Sequence, residues 1–219
     1  MVEVLEQLKQ SPHLPFYVNE LQAILKEEKE KRQSFYHLIS EDDKAEFING
    51  EIIMHSPVTL AHSDASDQIN RAMGIWAADH NLGIVRHEKI MIECTRNSYE
   101  PDICFWRKER ASKFKPDQKL FPPPDLIVEI SSKSTEATDR GDKFEDYQAH
   151  GVKEYWIVDP RHKTIEQYLL KRNKYVLEGK VSKPNAIHSQ QLKGMIFPAE
   201  AAFSENANLK LIRSWMAGA

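Results

Sequence analysis

Apolar residues recur along this chain with two different periods, and each period predicts a different kind of element. Apolar runs flank Asn49-Gly50, and this dipeptide favours a tight turn because both residues tolerate positive φ, so an antiparallel hairpin is predicted over residues 46–55. Apolar residues recur at steps of three and four over 61–76. This spacing predicts a helix that ends near Gly83. Two further helices are predicted over 16–32 and 138–150, the last ending at Gly151.

Strand-like runs follow the first helical stretches. They cover 83–95, 99–106, 125–131 and 154–158, and another hairpin is predicted over 164–170 and 173–179. The order of hairpin, helix, three strands, helix and strand predicts an α/β or α+β fold with a mixed β-sheet flanked by helices. We predict one domain over 1–219, with an N-terminal helical extension (1–43), a core (44–180) and a less regular C-terminal region (181–219).

Composition narrows the class of protein. The chain has 219 residues, of which 41% are hydrophobic and 29% charged, as in ordinary globular domains. No apolar run approaches the roughly 18 residues of a membrane span, and no secretory signal opens the chain, so no membrane contact and a cytoplasmic location are expected. The formal net charge of -3 means that any contact with a polyanion has to be local.

Two carboxylates interrupt apolar strands. In the run 125–131, Glu129 shares one strand face with Ser131, and in the run 99–106, Asp102 shares a face with Cys104. A buried carboxylate without a partner costs roughly several kcal/mol, so each acid needs a cation, a metal ion or hydrogen bonds. A buried ion pair is the simpler interpretation of either acid, but two acids on neighbouring strands form the oxygen-rich pocket that Mg²⁺ or Mn²⁺ prefers.

A lysine on the following helix adds a cation to this pattern. Asp139, Lys143 and Tyr147 occur at four-residue steps and therefore share one helix face. A solvated Asp-Lys pair explains this spacing equally well. Next to the two acids, however, the ammonium group could polarise a phosphoryl oxygen or orient an attacking water.

Several fragments in this order resemble a known family: Asn49-Gly50-Glu51, His62 near a helix start, Pro101-Asp102, the run 124–131, Asp139-x₃-Lys143-x₃-Tyr147 and the run 151–160. Together they resemble the Uma-type endonucleases of the PD-(D/E)xK restriction-endonuclease-like superfamily, over about residues 46–170. The resemblance implies a nuclease core that hydrolyses phosphodiester bonds with Mg²⁺ or Mn²⁺. It also implies that Asp102 and Glu129 bind the metal and that a lysine completes the catalytic site.

The position of that lysine departs from the superfamily's usual pattern. Ser131 stands two residues after the second acid, where lysine is usual, and the family variant with a displaced lysine points to Lys143, with Lys133 as the alternative. The resemblance also implies that His62 and Glu51 approach the same centre, with Ser131, Asp139 and Tyr147 in support. His62 could equally be a hydrogen-bonding residue at the start of its helix.

Basic residues in the segment after the Asp102 strand are candidates for phosphate contacts: Arg107, Lys108, Lys113 and Lys115. Solvated loops in a charged protein explain them equally well. The expected partner is nucleic acid, and DNA is expected before RNA. We also expect that two copies of the chain could form a homodimer through the N-terminal helix. A binding module that no longer cleaves is the main rival.

The two cysteines, Cys94 and Cys104, are expected as buried thiols, and no histidine has the spacing of a zinc site.

Overall fold

A computed structural model gives the positions of residues 2–40 and 42–217. The chain groups into two units, the first formed from 1–55 and 95–98 and the second from 56–94 and 99–219. In the part of the chain that the structure describes, no helix is long and apolar enough to cross a membrane.

The elements alternate between helices and short strands. The helices are α1 (Val2–Lys9), α2 (Leu14–Leu38), α3 (Leu60–Asp79), α4 (Lys108–Ala111), α5 (Glu136–Arg140), α6 (Asp142–Ala149), a 3-10 helix (Ala199–Ala202) and α7 (Glu205–Ala217). The strands are β1 (Ala45–Ile48), β2 (Glu51–Met54), β3 (Gly83–His87), β4 (Met91–Glu93), β5 (Ser98–Tyr99), β6 (Ile103–Arg107), β7 (Leu120–Phe121), β8 (Leu126–Ile130), β9 (Glu154–Asp159), β10 (Thr164–Lys171), β11 (Lys174–Val181), β12 (Ala186–His188) and β13 (Ile196–Pro198).

The first unit contains the long helix α2 and the hairpin of β1 and β2. The predicted turn is confirmed, because Asn49 and Gly50 have φ values of 51° and 88°. Only glycine fits easily at position 50, since an added Cβ would lie 3.1 Å from the Glu28 side chain as well as at positive φ. Glu28 itself accepts two hydrogen bonds from the Arg96 guanidinium, at 2.7 and 2.6 Å, which fixes the helix beside the turn.

The second unit is built on a six-stranded sheet of order β11-β10-β9-β8-β6-β3. β8 and β9 run parallel and the other pairs antiparallel, so the predicted mixed sheet flanked by helices is confirmed. One face is mostly apolar, with Val128 and Trp156 packed in one cluster with Ile69 of α3, and the buried Glu154 lies on this same face. The opposite face carries Glu129 and contacts α5 and α6, as the hydrogen bond from the Tyr155 hydroxyl to the Asp139 carbonyl shows.

Three predicted elements are interrupted in the structure. The run 83–95 turns at Glu88 and Lys89, which both adopt positive φ, and the run 99–106 is divided into β5 and β6 by a bend. The predicted helix 138–150 breaks at Gly141 into α5 and α6. A Cβ at that position would lie 2.8 Å from the Ala137 carbonyl oxygen, so the break requires glycine.

The C-terminal region is more ordered than its sequence pattern predicts. Leu192 and Phe197 enter the same apolar cluster as the sheet, and the 3-10 helix and α7 follow. Glu154, buried on β9, accepts hydrogen bonds from the Ser189 hydroxyl at 3.0 Å and from the Gln191 backbone N–H at 2.8 Å. Burial raises the pKa of Glu154, while these hydrogen bonds oppose the rise. The carboxylate thereby joins the tail to the central sheet.

A cluster of ion pairs around Glu166 joins α5 to the edge hairpin of β10 and β11. Glu166 accepts two hydrogen bonds from Arg140, at 2.7 and 3.0 Å, and its carboxylate lies 2.9 Å from the Lys180 ammonium. The Arg140 hydrogen bonds are the main cause that lowers the pKa of Glu166 to about 2 from 4.5, against the opposing effect of burial.

Stability should therefore depend on pH through Glu166. Because its folded pKa is depressed, its contribution is complete above pH 4.5 and is lost as the pH falls towards about 2. We predict that Glu166→Gln lowers the free energy of unfolding near pH 7 by about 2 kcal/mol and flattens its decline between these values, as measured by urea unfolding. Glu178→Gln, in the exposed pair with Lys171, is the control and should change little. An unchanged pH profile in Glu166→Gln would contradict this account.

Candidate active site

Asp102 lies in the bend directly before β6, not inside a strand as the sequence pattern predicts. Its Oδ2 accepts a hydrogen bond from the Ile130 backbone N–H at 2.8 Å, so its carboxylate caps the end of the neighbouring strand β8. The reason for the bend is local, because Pro101 has no N–H to donate to a sheet ladder. The side chain of Asp102 is 10% exposed, which leaves it accessible from one side.

Glu129 faces the same side of the sheet from β8. Ile103 pairs with Val128 in the antiparallel register of β6 and β8, and extending this register by one residue sets Asp102 opposite Glu129. Directly opposed residues in an antiparallel pair project to the same face and lie within about 4.5–5.5 Å at their Cβ atoms. The two predicted acids therefore converge at one end of the sheet.

Lys143 reaches this centre from α6. Its Nζ lies 3.1 Å from Glu129 Oε1 and 3.8 Å from Asp139 Oδ1, and all three side chains are at most 4% exposed. Gly141 lies between the two residues, at the break that separates Asp139 on α5 from Lys143 on α6. The alternative of a solvated Asp-Lys pair is wrong, since both groups are buried.

Two tyrosines position the charged groups. The Tyr147 hydroxyl donates to Glu129 Oε1 at 2.8 Å, so this oxygen accepts from both Lys143 and Tyr147. Tyr99, which the sequence reasoning missed, packs edge-on against Tyr147 at 5.3 Å between ring centroids, and its ring lies 5.9 Å from Lys143 Nζ. No spacing rule connects Tyr99 to α6, because the contact spans almost fifty residues of chain.

Two buried polar atoms near the acids have no hydrogen-bond partner within residues 2–40 and 42–217: Ser131 Oγ and His62 Nδ1. Ser131 shares the strand face of Glu129, and His62 Nε2 lies 3.4 Å from Asp102 Oδ1. Buried polar groups are rarely left unsatisfied, so such atoms mark places for water or an ion. Carboxylate and hydroxyl oxygens are the donors that Mg²⁺ and Mn²⁺ prefer, and the residues present fit such an ion.

Cys104 lies beneath these charges on β6 and is fully buried. Burial raises the pKa of its thiol well above the ordinary value, and the carboxylates of Glu129 and Asp102 raise it further. The thiol therefore stays protonated and is a packing group in this centre.

Two other candidate residues are exposed. Glu51 is exposed on β2 in the first unit, while Asp102 and Glu129 belong to the second. Lys133, the alternative lysine, is exposed in the turn between β8 and α5, whereas Lys143 is buried and contacts Glu129. The geometry thus favours Lys143 over Lys133.

The basic candidates follow the far end of β6. Arg107 ends this strand and Asp102 precedes its start, so the rise of about 3.4 Å per residue separates them by about 17 Å. Arg107 donates to Gln191 Oε1 at 2.7 Å, and Lys108, Lys113 and Lys115 are exposed. These four residues, which we call the flanking basic segment, contribute nothing to the acidic centre itself.

The mixed sheet flanked by helices is a nuclease-like fold, and it brings two acids at one strand end close to a buried lysine from α6. A sequence profile described as "Uma2: Putative restriction endonuclease" matches residues 32–200. The chain belongs to this Uma2 family, which confirms the predicted family and extends the match on both sides of 46–170.

The solved structures include one with the same fold. It is described as a "putative nuclease belonging to DUF820" from Anabaena variabilis ATCC 29413, with a TM-score of 0.67 and 18% sequence identity over 77% of this chain and 94% of that chain. At this identity the likeness shows a shared fold. The search of curated proteins found no match.

The contact between Glu129 and Lys143 should be energetically coupled. Removing one partner of a buried ion pair leaves an uncompensated charge, so we predict that Glu129→Gln and Lys143→Met each lower the free energy of unfolding by about 3–5 kcal/mol. The double variant should lose much less than the sum. Lys133→Met, which removes an exposed lysine, should change stability by less than about 0.5 kcal/mol. Additive losses in urea unfolding, or an equal effect at Lys133, would show that Lys143 is not the counter-ion.

Proposed function

We propose that this protein is a metal-dependent endonuclease that hydrolyses phosphodiester bonds of nucleic acid, with DNA as the expected substrate. The observation that carries the proposal is the convergence of Asp102 and Glu129 with the buried ammonium of Lys143. A purely structural ion pair would need one acid for this lysine. Here Asp139 and Glu129 both lie beside it and Asp102 lies opposite, so the cluster has more acids than cations.

Asp102 and Glu129 would hold Mg²⁺ or Mn²⁺, with the orphaned hydroxyl of Ser131 close to the same position. When bound, the ion supplies Lewis-acid stabilisation of the charge that develops on the phosphoryl oxygens. His62, next to Asp102, would orient this carboxylate or a water on it. Asp139 and Tyr147 are positioning residues, because they act through Lys143 and Glu129.

Lys143 would supply the positive charge at the reacting phosphate. In hydrolysis the oxygen of a water bonds to phosphorus, one ester P–O bond breaks, and a proton passes to the leaving oxygen. An ammonium in a site this dry stabilises a developing negative charge more strongly than a solvated one does, because water does not screen it.

Activity on DNA and RNA substrates with Mg²⁺ or Mn²⁺ tests this proposal. Asp102→Asn and Glu129→Gln keep side-chain volume and remove a charge, so we expect each to lower the cleavage rate about 1000-fold or more, equivalent to several kcal/mol of transition-state stabilisation. Chelation should abolish cleavage by the unmodified protein. Glu145→Gln, an exposed acid on α6, is the matched control and should keep full activity.

One outcome would overturn the proposal: metal-dependent cleavage that survives in both variants.

A specific observation favours the rival, a binding module that no longer cleaves, because Glu129 is already paired with Lys143 and both are 4% exposed. Calorimetry separates the two functions. No Mn²⁺ binding at millimolar concentration, together with retained binding of nucleic acid, would support the rival.

The flanking basic segment would bind phosphates away from the cleaved bond. The separation of about 17 Å between Asp102 and Arg107, the first residue of this segment, corresponds to about five base pairs of duplex at 3.4 Å per step along one strand. Lys113 and Lys115 are the most suitable members, because both are exposed and neither lies in a helix or strand. Arg110, which lies between Lys108 and Lys113 in sequence, instead forms an ion pair with Asp125 at 3.1 Å.

Salt dependence tests this segment. We predict that Lys113→Ala/Lys115→Ala weakens DNA binding and reduces the slope of log affinity against log salt by up to about 1.8, since each phosphate contact contributes about 0.9. The cleavage rate at saturating DNA should be unchanged. Lys26→Ala/Lys29→Ala on α2, whose neighbours are mostly acidic, is the charge-matched control. An unchanged slope in the Lys113 and Lys115 variant would exclude these contacts.

Two further expectations stay predictions: a homodimer through the N-terminal helix and a cytoplasmic location. For the dimer, α2 exposes Phe16, Leu21 and Leu25 at 70%, 52% and 54%. Exposed apolar residues on a helix are typical of an interface between copies, and light scattering of the full chain measures the mass directly.

A further inference from the structure

Three potential metal ligands meet on the far side of Tyr99 from Lys143. Cys94 follows β4, and Asp146 and His150 lie four residues apart on and just after α6. The ligand atoms of these three side chains all lie within 4.8 Å of one another. Sequence spacing missed this cluster, because more than fifty residues separate the cysteine from the histidine.

We propose that Cys94, Asp146 and His150 form a second metal site, one that binds Zn²⁺ and differs in chemistry from the acidic centre. A thiolate, an imidazole and a carboxylate are the ligands that Zn²⁺ takes, whereas Mg²⁺ prefers oxygen alone. Three protein ligands leave a fourth tetrahedral position for water. The separation of the ligand atoms is within the reach of side-chain torsions, given bonds of about 2.0–2.3 Å to the ion.

Neighbouring groups already orient two of the ligands. The Tyr99 hydroxyl donates to Asp146 Oδ2 at 2.8 Å. His150 Nδ1 lies 2.8 Å from the Asp146 carbonyl oxygen and 3.2 Å from Asp146 Oδ1, so the imidazole is held beside the Asp146 carboxylate. Hydrogen bonds of both kinds are typical outer contacts of zinc ligands.

Burial also suits an ion that enters from solvent. The side chains of Asp146 and His150 are 16% and 20% exposed, and Cys94 is 3% exposed behind them. Cys94 is in no disulfide. The thiol is therefore the most buried of the three ligands, and the carboxylate and the imidazole are partly accessible to solvent.

The consequence of such a site is mechanical. The helix α6 has only eight residues, Asp142–Ala149, and helices this short are marginal without tertiary contacts. A metal bound to Asp146, His150 and Cys94 would tie this helix to the end of β4. Because α6 carries Lys143 and Tyr147, the zinc site would hold the lysine and tyrosine that contact Glu129.

Cobalt substitution tests the proposal directly. The full chain, stripped with a chelator, is titrated with Co²⁺, and we expect one equivalent to give the near-ultraviolet sulfur-to-cobalt charge-transfer band, which Zn²⁺ then removes. Cys94→Ser should abolish the band, and His150→Gln should weaken binding. Tyr99→Phe should weaken it about 10-fold, the size expected for an outer contact.

Matched controls use the chain's other thiol and another paired histidine. Cys104→Ala should keep the band, as should His162→Gln, which alters a His-Asp pair without a cysteine (Nδ1 to Asp159 Oδ2, 2.8 Å). Asp102→Asn should also keep it, so a failure here and a failure of the nuclease proposal are distinguishable. If Cys94→Ser does not fold, X-ray absorption of the zinc-loaded unmodified protein should count one sulfur ligand.

Two results would overturn the proposal. One is the absence of a thiolate band at micromolar Co²⁺, which would leave a hydrogen-bonded cluster without a metal. The other is a band that survives in Cys94→Ser and disappears in Cys104→Ala, which would move the soft metal to the acidic centre.

Discussion

The buried ammonium of Lys143 is the charge on which the centre of the second unit depends. It lies 3.1 Å from Glu129 and 3.8 Å from Asp139, in surroundings that exclude almost all solvent. Neither acid could be buried as an ion without a nearby cation, and the cation could not be buried without them. The sheet face, the break at Gly141 and the orientation of α6 are all consistent with this one requirement.

The two faces of the sheet show how the requirement is met. The face towards α3 buries a large apolar cluster that stabilises the fold, and Glu154 is a buried acid on this face. The other face receives Glu129 from β8, Lys143 and Tyr147 from α6, and the carboxylate of Asp102 at the strand end. The two faces therefore differ, because one is packed mainly by apolar side chains and the other holds a buried cluster of charges.

The sequence predicts much of this arrangement, and the limits have physical causes. Glu129 was predictable because an acid inside an apolar strand is conspicuous, and Lys143 because it shares a helix face with Asp139. Asp102 was found for a wrong reason, since Pro101 turns the chain and the acid precedes its strand. Alternation alone cannot show a bend of this kind.

Contacts between distant parts of the chain were beyond sequence reasoning. Tyr99 meets Tyr147 and Asp146 through the fold, and the same closure brings Cys94 to His150. The C-terminal tail looked irregular because its strands are three residues long, too short for a period to be visible. Pattern reasoning therefore selected the acids, Lys143, Asp139 and Tyr147 as candidates, and only the fold added Tyr99.

A crystal structure with Mn²⁺ soaked in, examined by anomalous scattering, tests the central claim most directly. The account predicts one anomalous peak between the carboxylates of Asp102 and Glu129, within about 2.0–2.2 Å of an oxygen of each, with Lys143 still beside Glu129. Full occupancy of that space by the Lys143 ammonium, with no peak at millimolar Mn²⁺, would contradict it.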